Sequence, residues 1–298
     1  VLKLFKYGPR KRTVRFMVWL SWPLMTLARK LSAAPVFKWI INPFFKRPYN
    51  EVTSIPINLE ARLPESVPLP RRVVERLVSE VDDKFILHEC ICREHDQVAS
   101  PSRGIGCMAL GPAINRMHPT NGRRATSEEA IEHVRRAAKA GLVANVAHVW
   151  IDPVAFGTRF RDLMFICFCD DESCLYRTHM KRRGPNLDGA YEKLPGISID
   201  FDVSKCDGCG ICIERCFVGA IDVVDGRAIS DENCTGCGRC VETCPQDAGV
   251  VHLEDEDALF QQLRNRISAV SELPFNTDRD REDGLSRTCQ STDTRLID

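Results

Sequence analysis

Apolar positions recur along this chain in two rhythms, and the rhythms mark out its elements. Val73, Val74, Leu77, Val78 and Val81 follow Leu69-Pro70 at helical spacing, which predicts a helix with one buried face, ended by Asp82-Asp83. Lys84-Phe-Ile-Leu-His88 then reads as a short buried strand. Thr126-Ser-Glu-Glu129 has the form of a capping box and opens a helix through Lys139-Ala140, with Gly141 as its stop. Leu142 to Trp150 reads as a strand, and so does Leu163 to Ile166 after a turn at Asp152-Pro153. Near the end, Leu259, Phe260, Leu263, Ile267 and Val270 form one apolar stripe. Asp255-Glu256-Asp257 precede it, and acids suit a helix N-terminus. Interspersed helices and strands predict an α+β fold, with a mixed α/β unit over residues 61–180.

The first 60 residues follow neither rhythm. Phe16 to Ala28 is an uncharged run of 13 residues, short of the ~20 needed to cross a bilayer as a helix, and Pro23 interrupts it. Three of the four tryptophans, Trp19, Trp22 and Trp39, fall here. Residues 1–50 carry 11 Lys or Arg and no Asp or Glu, while the remainder carries 30 basic and 41 acidic residues. The net charge of zero therefore hides a basic, aromatic arm. Such an arm suits an anionic membrane surface, a partner subunit, or this protein's own core. A signal peptide is a rival reading, weakened by Arg29 and Lys30 behind the apolar run. No nucleic-acid partner is expected.

Fifteen cysteines change the picture most. Cys206-x2-Cys209-x2-Cys212-x3-Cys216 is repeated 28 residues later as Cys234-x2-Cys237-x2-Cys240-x3-Cys244. Gly208 and Gly236, Gly210 and Gly238, Glu214 and Glu242, and Ala220 and Ala248 also fall in phase. Glycine admits positive φ and lets backbone N–H groups approach sulfur. Thiolate triplets at this spacing suit a cubane better than zinc, whose structural sites pair two short hooks. The doubled run resembles the bacterial two-[4Fe–4S] ferredoxins over about residues 195–253. That resemblance implies two short hairpins, two small helices and one-electron transfer at low potential. It also implies crossed ligation: Cys206, Cys209, Cys212 and Cys244 at one cluster, and Cys234, Cys237, Cys240 and Cys216 at the other. Phe217 stands where that family usually has Pro, which Pro245 keeps in the second run.

Six cysteines lie upstream, at Cys90, Cys92, Cys107, Cys167, Cys169 and Cys174. Alternate residues of a strand share a face, so each C-x-C is expected to project two thiols together at a strand end. If the two strands are neighbours, four thiols converge. A third iron–sulfur centre is the first reading; zinc and plain buried thiols are the others. The run Cys90-Ile-Cys92-Arg93, the lone Cys107 between glycine-rich flanks, Gly141-Leu142-Val143 and Cys167-Phe-Cys169 resemble an uncharacterised type of ferredoxin-associated domain in anaerobes. Arg93 is read either as a donor to a cluster or anion or as a surface pair. His88, His95 and His118 flank these cysteines as hydrogen-bonding side chains rather than ligands. The Gly- and Pro-rich stretch 96–124 is expected to cover a cluster or a pocket.

Four parts are thus expected: the arm (1–60), the cysteine-bearing domain (61–180), the two-cluster domain (195–253), and a helix with a flexible tail that holds Cys289 (254–298). Lys181-Arg182-Arg183 marks an exposed linker. The functional expectation is an electron-transfer protein or oxidoreductase subunit in a reducing, anaerobic cytoplasm, meeting redox partners at the membrane's inner face. One alternative is a reductase whose upstream cysteines hold a substrate-reducing cluster. Another is a ferredoxin with a structural zinc domain for docking.

Overall fold

The protein is described by a computed structural model, over residues 6–31, 34–62, 70–97, 101–174 and 193–276. The linker at 181–183 and Cys289 lie outside these residues. In chain order the N-terminal half comprises α1 (Lys11–Leu31), α2 (Pro35–Ile41), β1 (Asn50–Ile55), α3 (Pro70–Glu80), β2 (Lys84–Leu87), α4 (Ile91–His95), β3 (Met108–Leu110), β4 (Gly122–Arg124), α5 (Ser127–Lys139), β5 (Val143–Val149), α6 (Ile151–Phe156) and β6 (Met164–Cys169). The C-terminal half comprises β7 (Ile197–Phe201), α7 (Ile211–Arg215), β8 (Ile221–Val224), β9 (Arg227–Ser230), α8 (Arg239–Glu242), β10 (Gly249–Leu253) and α9 (Glu256–Val270).

A six-stranded sheet in the order β1-β5-β6-β3-β2-β4, antiparallel throughout, forms the N-terminal half. β5 and β6 within it are buried on both faces, so they read as nearly continuous apolar runs rather than as alternation. On one face Met108, Leu110, Val146 and Ile166 meet α3, α5 and α9. On the other, Phe85, Leu87, Ala109 and Phe165 meet α1 and α6. The predicted stripe of α3 is buried at Val73, Val74, Leu77 and Val78. The capping box of α5 forms as expected: Glu129 N–H donates to Thr126 Oγ1, and Thr126 N–H donates back to Glu129 Oε2.

Several expectations change. Asn50–Ile55, taken with the arm, pairs with β5 along its whole length and belongs to the sheet. The stretch 96–124 is no simple cover, because it contributes β3 and β4 to that sheet. The turn at Asp152-Pro153 is helix α6. α1 continues through Pro23, which sits on the exposed side while Val14 and Trp22 are buried beneath. Packing of one face outweighs the hydrogen bond that proline removes. α1 is also tied at its start: Gly8 N–H donates to the Arg116 carbonyl at 2.7 Å, and Arg15 pairs with Glu94 at 3.1 Å. Its far side leaves Phe16, Trp19, Leu20, Leu24 and Leu27 exposed, and Trp39 and Ile40 of α2 are exposed as well.

In the C-terminal half only one of the two expected hairpins is a hairpin. β8 and β9 pair directly, whereas β7 and β10 join the two ends of the repeat. α9 buries its predicted stripe, and burial continues through Ser271, Leu273 and Phe275. The chain is therefore packed some way into the segment read as a tail.

Candidate metal centres

The repeat folds as two copies of one loop. Gly210 (φ +78°) precedes α7 and Gly238 (φ +73°) precedes α8, both in the left-handed region that favours glycine. Cys206, Cys209, Cys212 and Cys244 line a single cavity, together with Phe201 and Ala228. Cys240 is electrostatically coupled to Cys237, Cys234 and Cys216, so the last cysteine of the first run faces the three leading cysteines of the second. The in-phase alanines have the same function in each copy. Ala220 N–H donates to Cys216 Sγ at 3.2 Å, and Ala248 N–H donates to Cys244 Sγ at 3.3 Å. Ala228 N–H donates to Cys206 Sγ at 3.3 Å. Burial pushes the thiols of Cys212, Cys216, Cys234 and Cys240 up. Thiolates in such places need a bound cation, and metal coordination supplies it. Backbone N–H groups aimed at sulfur, apolar walls and four thiols per set fit iron–sulfur ligation.

A family model described as a 4Fe-4S dicluster domain matches residues 199–248. The C-terminal part is a ferredoxin-type domain. Binding of [4Fe–4S] and iron–sulfur electron transfer follow for this part of the chain. Among curated proteins, none matches the chain.

The six upstream cysteines lie on the α1 side of the large sheet, in an arrangement different from the one expected. Cys90 caps α4 and Cys92 lies within it, so this C-x-C is not on a strand. β2 and β6 are not neighbours either; β3 runs between them, and Cys107 just precedes it. Cys107 thereby joins the two C-x-C runs. Cys90 is within hydrogen-bonding reach of Cys92 and Cys107, and Cys107 of Cys167. Hydrogen bonds from Cys107 and Cys92, with the nearby charge of Arg93, hold the Cys90 thiol well below its ordinary range. Cys107 is pushed well above it by its thiol neighbours and burial. Cys169 and Cys174 form a further pair, with Cys174 Sγ donating to Cys169 Sγ at 3.0 Å, and Cys167 packs against both this pair and the group around Cys107.

Arg93 is buried, not a surface pair. It donates to the carbonyls of Phe168 (3.1 Å) and Ile105 (2.8 Å) and pairs with Asp170 at 3.1 Å. It thus ties together α4, the segment before Cys107, and β6. The contacts of two of the histidines are with other groups: His95 stacks on Trp22 with centroids 4.3 Å apart, and His118 Nδ1 accepts from Thr120 N–H. Between α1 and the sheet lies a cavity of about 80 Å³, bordered by Cys92, Cys107, Cys167, Trp22, Phe156 and Asp152. Burial pushes the Asp152 carboxyl up to about 7, although part of its surface stays exposed. Its charge therefore changes near neutrality.

The two halves share one core, in which Ile57 and Leu59 join Ile197, Cys240 and Val241, and they meet a second time at Phe217. It is buried with Val52, Val149, Cys169 and Cys174 of the N-terminal half, and Cys237 packs against the same group. Arg239 pairs with Asp171 at 3.0 Å, and Arg266 of α9 donates to Thr53 Oγ1 and the Lys193 carbonyl at 3.1 and 2.9 Å. In the sequence Phe217 is visible only as a departure from the usual proline, and Arg93 is open between a donor to a cluster or anion and a surface pair. A bulky apolar residue at a turn usually occupied by proline was the available signal for a docking contact.

Proposed function

We propose that the chain is an electron-transfer protein that carries two [4Fe–4S] clusters in its ferredoxin-type domain and exchanges single electrons with redox partners. The facing of Cys216 toward the second cysteine run, and of Cys244 toward the first, carries this reading. When bound, the clusters supply reversible one-electron chemistry. The chain supplies four thiolates to each, N–H donors from Ala220, Ala228 and Ala248, and walls that limit water. No acid or base is required in that half. The N-terminal half serves as a second redox module, its cysteines set against the ferredoxin domain through Phe217. The gathering of Cys90, Cys92, Cys107 and Cys167 in one apolar group favours relay over the rival reading of an open-sited reductase.

The test is reductive titration of anaerobically purified protein followed by EPR. Two interacting one-electron centres from the C-terminal half support the reading, with about eight irons assignable to it. About four irons there, with a single isolated signal, would overturn it.

The partner side of the reading rests on α1 and α2. Their exposed aromatic surface, and basic residues without acids across the first 50 positions, support docking on the anionic inner face of a membrane. No helix among the described residues is long and apolar enough to cross one. Flotation with anionic vesicles, compared between the full chain and a Trp19→Glu/Leu24→Glu variant, tests it. Both residues are more than half exposed, so the fold should persist. Equal flotation of the two proteins would remove the membrane from the proposal.

A further inference from the structure

We propose that Cys90, Cys92, Cys107 and Cys167 are the complete ligand set of a third iron–sulfur cluster, seated in the chamber that α1 closes. Cys169 and Cys174 stay outside it as a separate dithiol. The inference rests on the electron-transfer reading above and narrows six candidate ligands to four.

Three observations carry it. First, the four thiols arrive on three segments, α4, the approach to β3, and β6, and gather in one apolar group beneath α1. Arg93 bonds all three segments at once, which holds the thiols in register. Second, Cys92, Cys107 and Cys167 border a cavity of about 80 Å³ whose other walls include Val18, Trp22 and Phe156. Asp152 and Ser21 are its polar lining, and a mainly apolar chamber beside thiols suits an inorganic cluster. A zinc ion needs four sulfurs about 2.3 Å from one point and no such room. No three His, Cys, Asp or Glu side chains among the described residues converge to hold a single ion. That holds equally for the repeat cysteines, and a cubane shares its ligands among four irons. Third, Cys169 and Cys174 satisfy each other at 3.0 Å and are buried in the apolar group that contains Phe217, where Cys167 touches them only from its edge and neither of them borders the cavity.

The chamber also gives α1 two tasks. Its inner side, through Val18 and Trp22, shields the thiols from solvent, while its outer side stays free for docking. A partner held by the outer side would lie one helix diameter from the chamber, about 10 Å.

The experiment is iron, sulfide and zinc quantitation with EPR on three anaerobically purified full-length proteins: the wild type, Cys107→Ser/Cys167→Ser, and Cys169→Ser/Cys174→Ser. The expected counts are about twelve, eight and twelve irons respectively. About eight irons in the wild type, with or without one zinc, would overturn the third cluster and leave the two-cluster ferredoxin intact. Loss of about four irons from Cys169→Ser/Cys174→Ser would overturn the division into four ligands and two. Retention of the ferredoxin EPR signals in Cys107→Ser/Cys167→Ser separates a lost site from a failed fold. Should that variant not fold, the wild-type count and the Cys169→Ser/Cys174→Ser count still decide both points. If the ferredoxin signals themselves are missing from the wild type, the underlying reading fails instead.

Discussion

Replacing Arg93 by Met should damage the N-terminal half selectively and heavily. The guanidinium is about 1% exposed, and it donates to two main-chain carbonyls while pairing with Asp170. Met fills much of the same space but leaves the Phe168 and Ile105 carbonyls without that donor. Each orphaned buried acceptor costs about 1–3 kcal/mol, and breaking one side of a buried ion pair costs about 3–5. These penalties overlap. Asp170 also keeps bonds from Glu172 N–H and Ser173 N–H at 3.0 and 2.8 Å, which places the sum toward the lower end, at about 3–4 kcal/mol. With a urea slope of about 2 kcal/mol per molar, the midpoint should fall by roughly 1.5–2 M. Tryptophan fluorescence is the assay, because Trp19, Trp22, Trp39 and Trp150 all precede the ferredoxin-type domain. Visible absorbance comes from the two ferredoxin-type clusters and the proposed third one, so about two thirds of it should survive at urea concentrations where fluorescence has already changed. Arg93→Lys keeps the charge but cannot reach all three acceptors, so it should fall between the two proteins. A midpoint for Arg93→Met within about 0.3 M of wild type would refute the tie-rod argument, since it corresponds to less than 1 kcal/mol.

Three further outcomes follow from the same geometry. Gly210 and Gly238 occupy equivalent positive-φ positions, but a Cβ at Gly238 would come within 2.4 Å of Leu59 Cδ1, whereas one at Gly210 meets only Ile213 Cδ1 at 3.9 Å. Gly210→Ala should cost about 1–2 kcal/mol of backbone strain and Gly238→Ala about 1–3 more from overpacking; equal thermal shifts would contradict this. Phe217→Ala should remove about 3–5 kcal/mol of packing between the halves, so that fluorescence and visible transitions, coincident in the wild type, separate. Transitions that stay together at unchanged midpoints would argue against docking through Phe217. His133 and His148 are held neutral by burial, with folded pKa values lowered, while the unfolded chain protonates at about 6.5. The unfolded state then binds more protons below that pH, so stability is full above about 6.5 and falls as pH drops, by at most about 1.4 kcal/mol per pH unit per histidine. Gln at both positions can still donate to the carbonyls of Gly106 and Leu163, and should flatten the slope measured between pH 7.5 and 5.5, a range set by the ordinary histidine pKa of about 6.5.

Local chemistry was legible in the sequence; convergence was not. The doubled cysteine spacing, its glycines and its in-phase alanines are local facts. The spacing within each run fits one small loop around a cluster, so a compact repeat carries its own geometry. The same holds for the capping box at Thr126 and for the stripes of α3 and α9, since a helix has a fixed period. The upstream thiols depended on long-range pairing instead. Nothing near Cys90 or Cys167 says that β3 separates their segments, or that Cys107 arrives from between them. Sheet order is decided by which apolar faces bury together across the whole domain, and that choice has no local signature. Arg93 shows the same limit. Its position after a cysteine run is visible in sequence, but only the packed sheet brings the carbonyls of Ile105 and Phe168 to either side of it. The basic, aromatic character of the arm was plain from composition, whereas the division of α1 into a face over the thiols and a face left exposed was settled by tertiary packing, because a helix acquires an inside only when something stands against it.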